Sequence, residues 1–240
     1  MRRLQLRIFR YKPGSATRYD TFHVEVPESA HLIDALEKVW AEQDNSLTFR
    51  HACHHASCGT CGLRVNGVER LACVTRVSDY PDGQVLTLDP LRNFPVVTDL
   101  VVDVAPMFRR LQEVDMRVIR EAERQPAIRP GDVEVLTRFE DCIECGLCVS
   151  ACPVAASDLL YAGPAALAAA ERVVSEPRGA DPHHALQLVN GDHGVWRCHG
   201  VLECSEVCPS QVHPGSAIMR LRRRILIRQF AQMMGGRDLR

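Results

Sequence analysis

Eleven cysteines in 240 residues are the chemistry-bearing feature of this chain, and they fall in two groups. Cys53, Cys58, Cys61 and Cys73 lie early; Cys142, Cys145, Cys148, Cys152, Cys198, Cys204 and Cys208 lie late. An odd count in a chain with no export signal does not suit a disulfide framework and points to thiolates bound to metal. Cys53-x4-Cys58-x2-Cys61 followed by Cys73 is the plant-type spacing of a 2Fe-2S centre, in which four thiolates hold two tetrahedral irons. A zinc site is the chemical rival, but zinc knuckles pair two short Cys-x2-Cys units, whereas one loop here supplies three thiolates. Gly59 and Gly62 are expected to remove side chains where backbone amides approach the cluster sulfides. His54 and His55 suggest a Rieske centre, yet four cysteines already complete the ligand set, so both are expected on the surface or as hydrogen-bond partners of the ligands.

Cys142-x2-Cys145-x2-Cys148-x3-Cys152-Pro153 is the bacterial ferredoxin run, whose fourth cysteine ligates the other of two clusters. The partner run, Cys198 to Pro209, has Val201 where the second thiolate belongs. Valine cannot ligate iron. The crossing rule then assigns Cys142, Cys145, Cys148 and Cys208 to a 4Fe-4S cube and leaves Cys152, Cys198 and Cys204 for a centre with three thiolates, which suits 3Fe-4S. A 4Fe-4S cluster with a water-ligated iron would also need only three and would be catalytic. With 3Fe-4S the count closes at four, four and three, and no cysteine is left for a disulfide or for nucleophilic catalysis. No Gly-x-Gly-x-x-Gly fingerprint and no nucleophile with a nearby base occurs, so no catalytic residue is assigned and the organic chemistry belongs to another subunit. Such clusters span roughly -700 to +450 mV, so three of different type in one chain make a relay.

The positioning elements follow from periodicity. Leu4–Ile8 and Thr21–Val26 alternate with period two, Leu32, Leu36, Val39 and Trp40 recur at helical spacing, Asn66-Gly67 marks a tight hairpin, and Val85–Leu88 supplies another strand. This predicts a small mixed sheet clasping one helix. Beyond Pro90 the apolar residues recur every three or four positions, as in Phe108, Leu111, Met116 and Ile119, between Pro95, Pro106, Pro126 and Pro130. The fold class expected is therefore α+β, with a 2Fe-2S domain at 1–100 and a helical domain carrying the other clusters at 101–240; Leu91–Val97 is apolar enough to pack between them. A last helix over Ser216–Met234 carries Arg220, Arg222, Arg223, Arg224 and Arg228, which could meet acidic lipid headgroups or a partner subunit, or form a plain solvated face. A net charge of -1 argues against a general nucleic-acid binder, no apolar run approaches the roughly 18 residues that span a bilayer, and the alternating N-terminus reads as a strand, not a secretion signal.

The 2Fe-2S loop, the stretch Pro90–Asp103, the cubane run and Arg197–Pro209 together resemble the iron-sulfur subunit family of succinate dehydrogenase and fumarate reductase, and the resemblance spans nearly the whole chain. It implies a β-grasp, plant-type ferredoxin-like domain followed by an all-α, bacterial-ferredoxin-like domain. It also implies that the 2Fe-2S end faces a flavoprotein subunit whose covalent FAD oxidises succinate in the tricarboxylic acid cycle. The 3Fe-4S end would then face the membrane, where anchor subunits, haem-bearing in some members, complete a quinone site. His199, Pro153 and Val201 match family positions lining that site, with His199 a proton or hydrogen-bond donor to the quinone or, alternatively, to a cluster sulfide. Ser157 stands where many members have a tryptophan of the quinone pocket. The family reading places the chain peripherally on the cytoplasmic face of a bacterial inner membrane. Fumarate reduction would use the same relay in reverse, and a soluble multi-cluster ferredoxin is the reading without an anchor.

Overall fold

A computed structural model describes residues 1–116, 139–176 and 182–234. The chain divides into two compact units, Met1–Val104 with Ile143–Ala151, and Ala105–Cys142 with Cys152–Arg240.

In the first unit, β1 (Arg2–Arg10) pairs antiparallel with β2 (Arg18–Val26) over its whole length, from Arg2 opposite Val26 to Arg10 opposite Arg18. The period-two alternation sends Leu4, Leu6 and Ile8 to one buried face. β3 (Gly62–Val65) and β4 (Val68–Leu71) form the expected hairpin, with Asn66 and Gly67 both at positive φ, as a two-residue turn requires. β5 (Val85–Asp89) closes the sheet, parallel to β1 and antiparallel to β3, giving the order β2-β1-β5-β3-β4. Helix α1 (Leu32–Glu42) presents Leu32, Ile33, Ala35, Leu36 and Val39 as its buried stripe, and the Asp34 carboxylate accepts a 2.8 Å hydrogen bond from the His31 amide at its start. Trp40 is half exposed, because its position lies off that stripe. A short pair, β6 (Val96–Thr98) and β7 (Val101–Val102), ends the unit.

One buried ionic knot ties these strands together. Arg10, only 1% exposed, pairs with Asp20 at 3.1 Å, with Asp44, and through Nε with the fully buried Asp99 at 3.2 Å. Asp99 also accepts the amides of Tyr11 (3.0 Å) and Thr48 (2.9 Å), so the segment after α1 is pinned to β1. Both charges are compensated on several sides, which burial demands.

Residues 143–151 belong to the first unit, although the sequence boundary at residue 100 assigned them to the helical part. Hydrogen bonds account for this. The Arg92 amide donates to Ser150 Oγ (2.9 Å), Asn93 Nδ2 to the carbonyls of Val149 (2.7 Å) and Ser150 (3.1 Å), and Ser150 Oγ to the buried Glu69 carboxylate (2.8 Å). The apolar stretch Leu91–Val97, expected between two domains, thus finds a partner inside this unit: a β-carbon on Gly146 would lie 3.2 Å from the Phe94 ring. Within the segment, α3 spans Leu147–Ser150.

The second unit is helical in its described residues. α2 (Ala105–Val114) buries Met107, Leu111 and Val114; of the expected apolar series Leu111 is buried and Phe108 and Met116 are half-buried, while Ile119, Pro126 and Pro130 lie outside the described residues. α4 spans Pro153–Ser157, α5 Gly163–Ser175, α6 Pro182–Val189, α7 Glu203–Glu206 and α8 Pro214–Met233. α5 is the hub. Its run Ala165–Ala170 is buried throughout, and these small side chains let α2, α6 and α8 pack on it. The arginines of α8 are mostly committed inside the unit: Arg220 and Arg224 pair with the buried Glu171 at 3.0 and 3.7 Å, and Arg228 meets His183 at 2.6 Å. No helix of the described residues is long and apolar enough to cross a membrane.

Candidate metal centres

No disulfide joins any two of the eleven cysteines. In the first unit, the loop between Phe49 and β3 turns back on itself through positive φ at His54, Ala56 and Gly59, which aims its amides inward. The amides of Ser57 and Cys58 donate to Cys53 Sγ at 3.3 and 3.4 Å, and that of Ala56 to Cys73 Sγ at 3.4 Å. Thr60 Oγ1 lies 2.7 Å from Cys58 Sγ. The loop thus presents N–H dipoles to sulfur, as anionic sulfurs require.

The thiols divide by burial. Hydrogen bonds from the amides of His55, Cys58 and Ser57 bring Cys53 down to about 6, while burial pushes Cys61 up to about 12. A thiolate at Cys61 therefore needs a compensating positive charge, which metal supplies. Cys53, Cys58, Cys61 and Cys73 are the residues here that could hold a cluster.

Gly59 and Gly62 serve a purpose the sequence reading missed. A β-carbon on Gly59 would stand 2.6 Å from the Ile143 carbonyl and 2.9 Å from the Cys145 backbone; one on Gly62 would stand 3.2 Å from Leu147 Cδ2. These glycines make room for the chain that carries Cys145 and Cys148. That chain itself turns through Glu144 and Gly146, both at positive φ. Cys142 and Cys208 lie in the second unit, where both pack against the buried Ala168, Val212 and Ala217, and the Val212 amide donates to Cys208 Sγ at 3.4 Å.

Cys152, Cys198 and Cys204 come together in the second unit. Burial raises the Cys152 thiol and pushes Cys204 up to about 11, with the neighbouring thiols adding to both shifts. Tyr161 is 5% exposed, and its hydroxyl has no oxygen or nitrogen acceptor among the described residues. Burial, then the charges of Cys198 and Cys152, holds its phenol far above the ordinary range, so it stays a hydrogen-bond donor facing Cys198. The Gly200 amide donates to Cys198 Sγ at 3.4 Å, and Arg222 of α8 donates to the carbonyls of Val195 (2.9 Å) and Cys198, fixing the backbone that carries this thiol. A protonated phenol, an amide and buried thiols suit a polyanionic sulfide cluster.

Val201 is 54% exposed, and His199 and Pro153 are exposed with it. Ser157, also exposed, donates only to the Val154 carbonyl at 3.1 Å in its own helix, so nothing about it replaces an indole. Tyr161 and Arg222 carry no sequence signature, since neither lies in a cysteine motif.

Residues 5–109 match the family described as a 2Fe-2S iron-sulfur cluster binding domain, and residues 138–212 match the 4Fe-4S dicluster domain. The chain is 36% identical over 226 residues to the fumarate reductase iron-sulfur subunit of Escherichia coli O6:H1, covering 92% of each. It is 34% identical over 229 residues to that of Mycobacterium tuberculosis, again covering 92% of each. A chain of the solved Mycobacterium smegmatis Sdh1 complex in the apo form superposes with a TM-score of 0.87 at 25% identity, covering 95% of this chain and 98% of that one. An N-terminal sheet unit bearing a 2Fe-2S motif and a helical part bearing a dicluster motif define an iron-sulfur electron-transfer protein. The chain belongs to the family of succinate dehydrogenase and fumarate reductase iron-sulfur subunits, and its role is that of the electron-transfer subunit of such an oxidoreductase complex.

Proposed function

We propose that this chain connects a flavoprotein subunit to a membrane quinone in a succinate:quinone oxidoreductase, with Cys53, Cys58, Cys61 and Cys73 holding 2Fe-2S, Cys142, Cys145, Cys148 and Cys208 holding 4Fe-4S, and Cys152, Cys198 and Cys204 holding 3Fe-4S. The first domain, on this reading, is a β-grasp and the second a bacterial-ferredoxin-like bundle. When bound, the clusters supply one-electron chemistry. The protein's own contribution is to place them and set their potentials, through the amides of Ser57 and Cys58 on Cys53, the Gly200 amide on Cys198, and the Tyr161 hydroxyl. The exposed trio His199, Pro153 and Val201 offers the surface on which membrane-anchor subunits, with or without haem, complete a quinone site, with His199 as the polar group that meets the quinone. Peripheral attachment to the cytoplasmic face of a bacterial inner membrane and a place in the tricarboxylic acid cycle go with this reading, and fumarate reduction is the same relay reversed.

The observation that carries the assignment is the gathering of Cys152, Cys198 and Cys204 around Tyr161 with a valine in the fourth ligand's place. Electron paramagnetic resonance of the anaerobically purified complex tests it: an oxidised 3Fe-4S signal should accompany a reduced 2Fe-2S signal. In Val201→Cys the former should give way to a 4Fe-4S signal at lower potential. A wild-type protein with no 3Fe-4S signal contradicts the ligand assignment, and purification without a flavoprotein or anchor favours a soluble ferredoxin.

A further inference from the structure

Away from the thiols, three ligand-type side chains converge on one point in the first unit. Glu37 Oε1, on α1, lies 3.0 Å from His51 Nδ1 and 3.2 Å from His54 Nε2, and those two ring nitrogens lie 3.2 Å from each other. The same three atoms make all three approaches. A proton can join either imidazole to the carboxylate or one imidazole to the other, yet a single proton among these three atoms cannot serve all three approaches equally well. A cation can. Bonds of about 2.0–2.1 Å to a tetrahedral ion hold ligand atoms roughly 3.3 Å apart, so an ion seated just outside this triangle needs only tenths of an ångström of relaxation.

The positions are supported by their surroundings. The His51 ring stacks on Phe49, with centroids 5.2 Å apart and planes at 26°. His54 is held at φ +60°, a left-handed conformation that turns its side chain back toward α1 and that a residue with a β-carbon seldom adopts. The side chains of Glu37, His51 and His54 are 35%, 43% and 40% exposed, so water can complete the coordination.

We propose that Glu37, His51 and His54 form a site for a divalent cation of the zinc class. Two imidazoles and one carboxylate are the donor set of such ions, whereas calcium and magnesium call for oxygen throughout. Three coordinate bonds form to the side chains and one to water, and no redox change is involved. The bound ion staples α1 to the loop carrying Cys53 and adds positive charge beside that loop. The site stands independently of the quinone reading above.

The test uses the full chain with its iron and acid-labile sulfide content at the level that occupies the thiols. After equilibration with zinc against a competing chelator, the wild type should hold one zinc per chain that Glu37→Gln and His54→Asn bind at least ~10-fold more weakly, as loss of even an outer partner weakens metal sites about 10–100-fold. Asparagine suits the left-handed backbone at 54, and Glu37→Gln leaves the loop untouched, so its visible 2Fe-2S absorption reports that the fold is intact. X-ray absorption at the zinc edge should show nitrogen and oxygen only. No retained zinc, equal retention in Glu37→Gln, or sulfur in the zinc shell overturns the proposal.

Discussion

The hydroxyl of Ser150 donates a 2.8 Å hydrogen bond to the carboxylate of Glu69, and both side chains are buried. This pair joins the hairpin strand β4 to the segment carrying Cys145 and Cys148, with Arg92 3.4 Å from the same carboxylate oxygen. Replacing Ser150 by alanine leaves a buried charge short of a partner, which typically costs about 1–3 kcal/mol. Thermal unfolding of Ser150→Ala should show that loss, and iron release into a chelator should be faster than in the wild type.

Gly59→Ala should be the more damaging change, because it combines a β-carbon 2.6 Å from the Ile143 carbonyl with a φ of +69°. Overpacking of this kind costs about 1–3 kcal/mol, and the left-handed backbone adds roughly 1–2 kcal/mol. Iron content per chain after purification is the measurement, and a wild-type content would contradict the close approach.

Tyr161→Phe keeps the volume and removes the donor facing Cys198. Stability should change by less than about 1.5 kcal/mol. A hydrogen bond from this hydroxyl to a bound cluster, about 0.5–1.5 kcal/mol, corresponds to roughly 20–60 mV for one electron, and its loss would destabilise the reduced, more negative cluster. The potential of that centre alone should therefore fall in an electron-paramagnetic-resonance redox titration, with the 2Fe-2S potential unmoved.

Acid should loosen the first unit through Arg10's carboxylates. Hydrogen bonds from the Ser46 hydroxyl and then from Arg10 lower Asp44 to about 2; at Asp99, burial pushes the carboxyl up, but the amides of Tyr11 and Thr48 and the charge of Arg10 outweigh it. Both carboxyls are depressed in the fold, so the stability they lend is complete above the unfolded value of about 3.9 and drains away as pH falls toward 2. Melting temperatures measured between pH 5 and pH 3 should drop less steeply for Asp44→Asn than for the wild type.

Much of this was legible in the sequence because its signals are local. Cysteine spacing, the alternation of Leu4, Leu6 and Ile8, and the Asn66-Gly67 turn each sit within a few residues of one another. What was not legible depends on pairs far apart in the chain. Nothing near Gly59 says that Cys145 will press against it, nothing near Arg222 says that it will hold the Cys198 carbonyl, and the charge run on α8 gave no hint that Glu171 would be waiting beneath it. Nor does helical spacing separate Trp40, half exposed, from Val39, wholly buried one residue earlier. The convergence of Glu37 with His51 and His54 needs the helix and the loop to be folded before it exists.

The lodging of Ile143–Ala151 among residues 1–104 also sets an order of events on the ribosome. The amino-terminal half cannot complete itself as it emerges; Gly59, Gly62 and Glu69 stay uncovered until residue 151 has cleared the ribosome and folded back. A chain truncated anywhere short of residue 151 therefore leaves those positions bare, however well its first hundred residues fold.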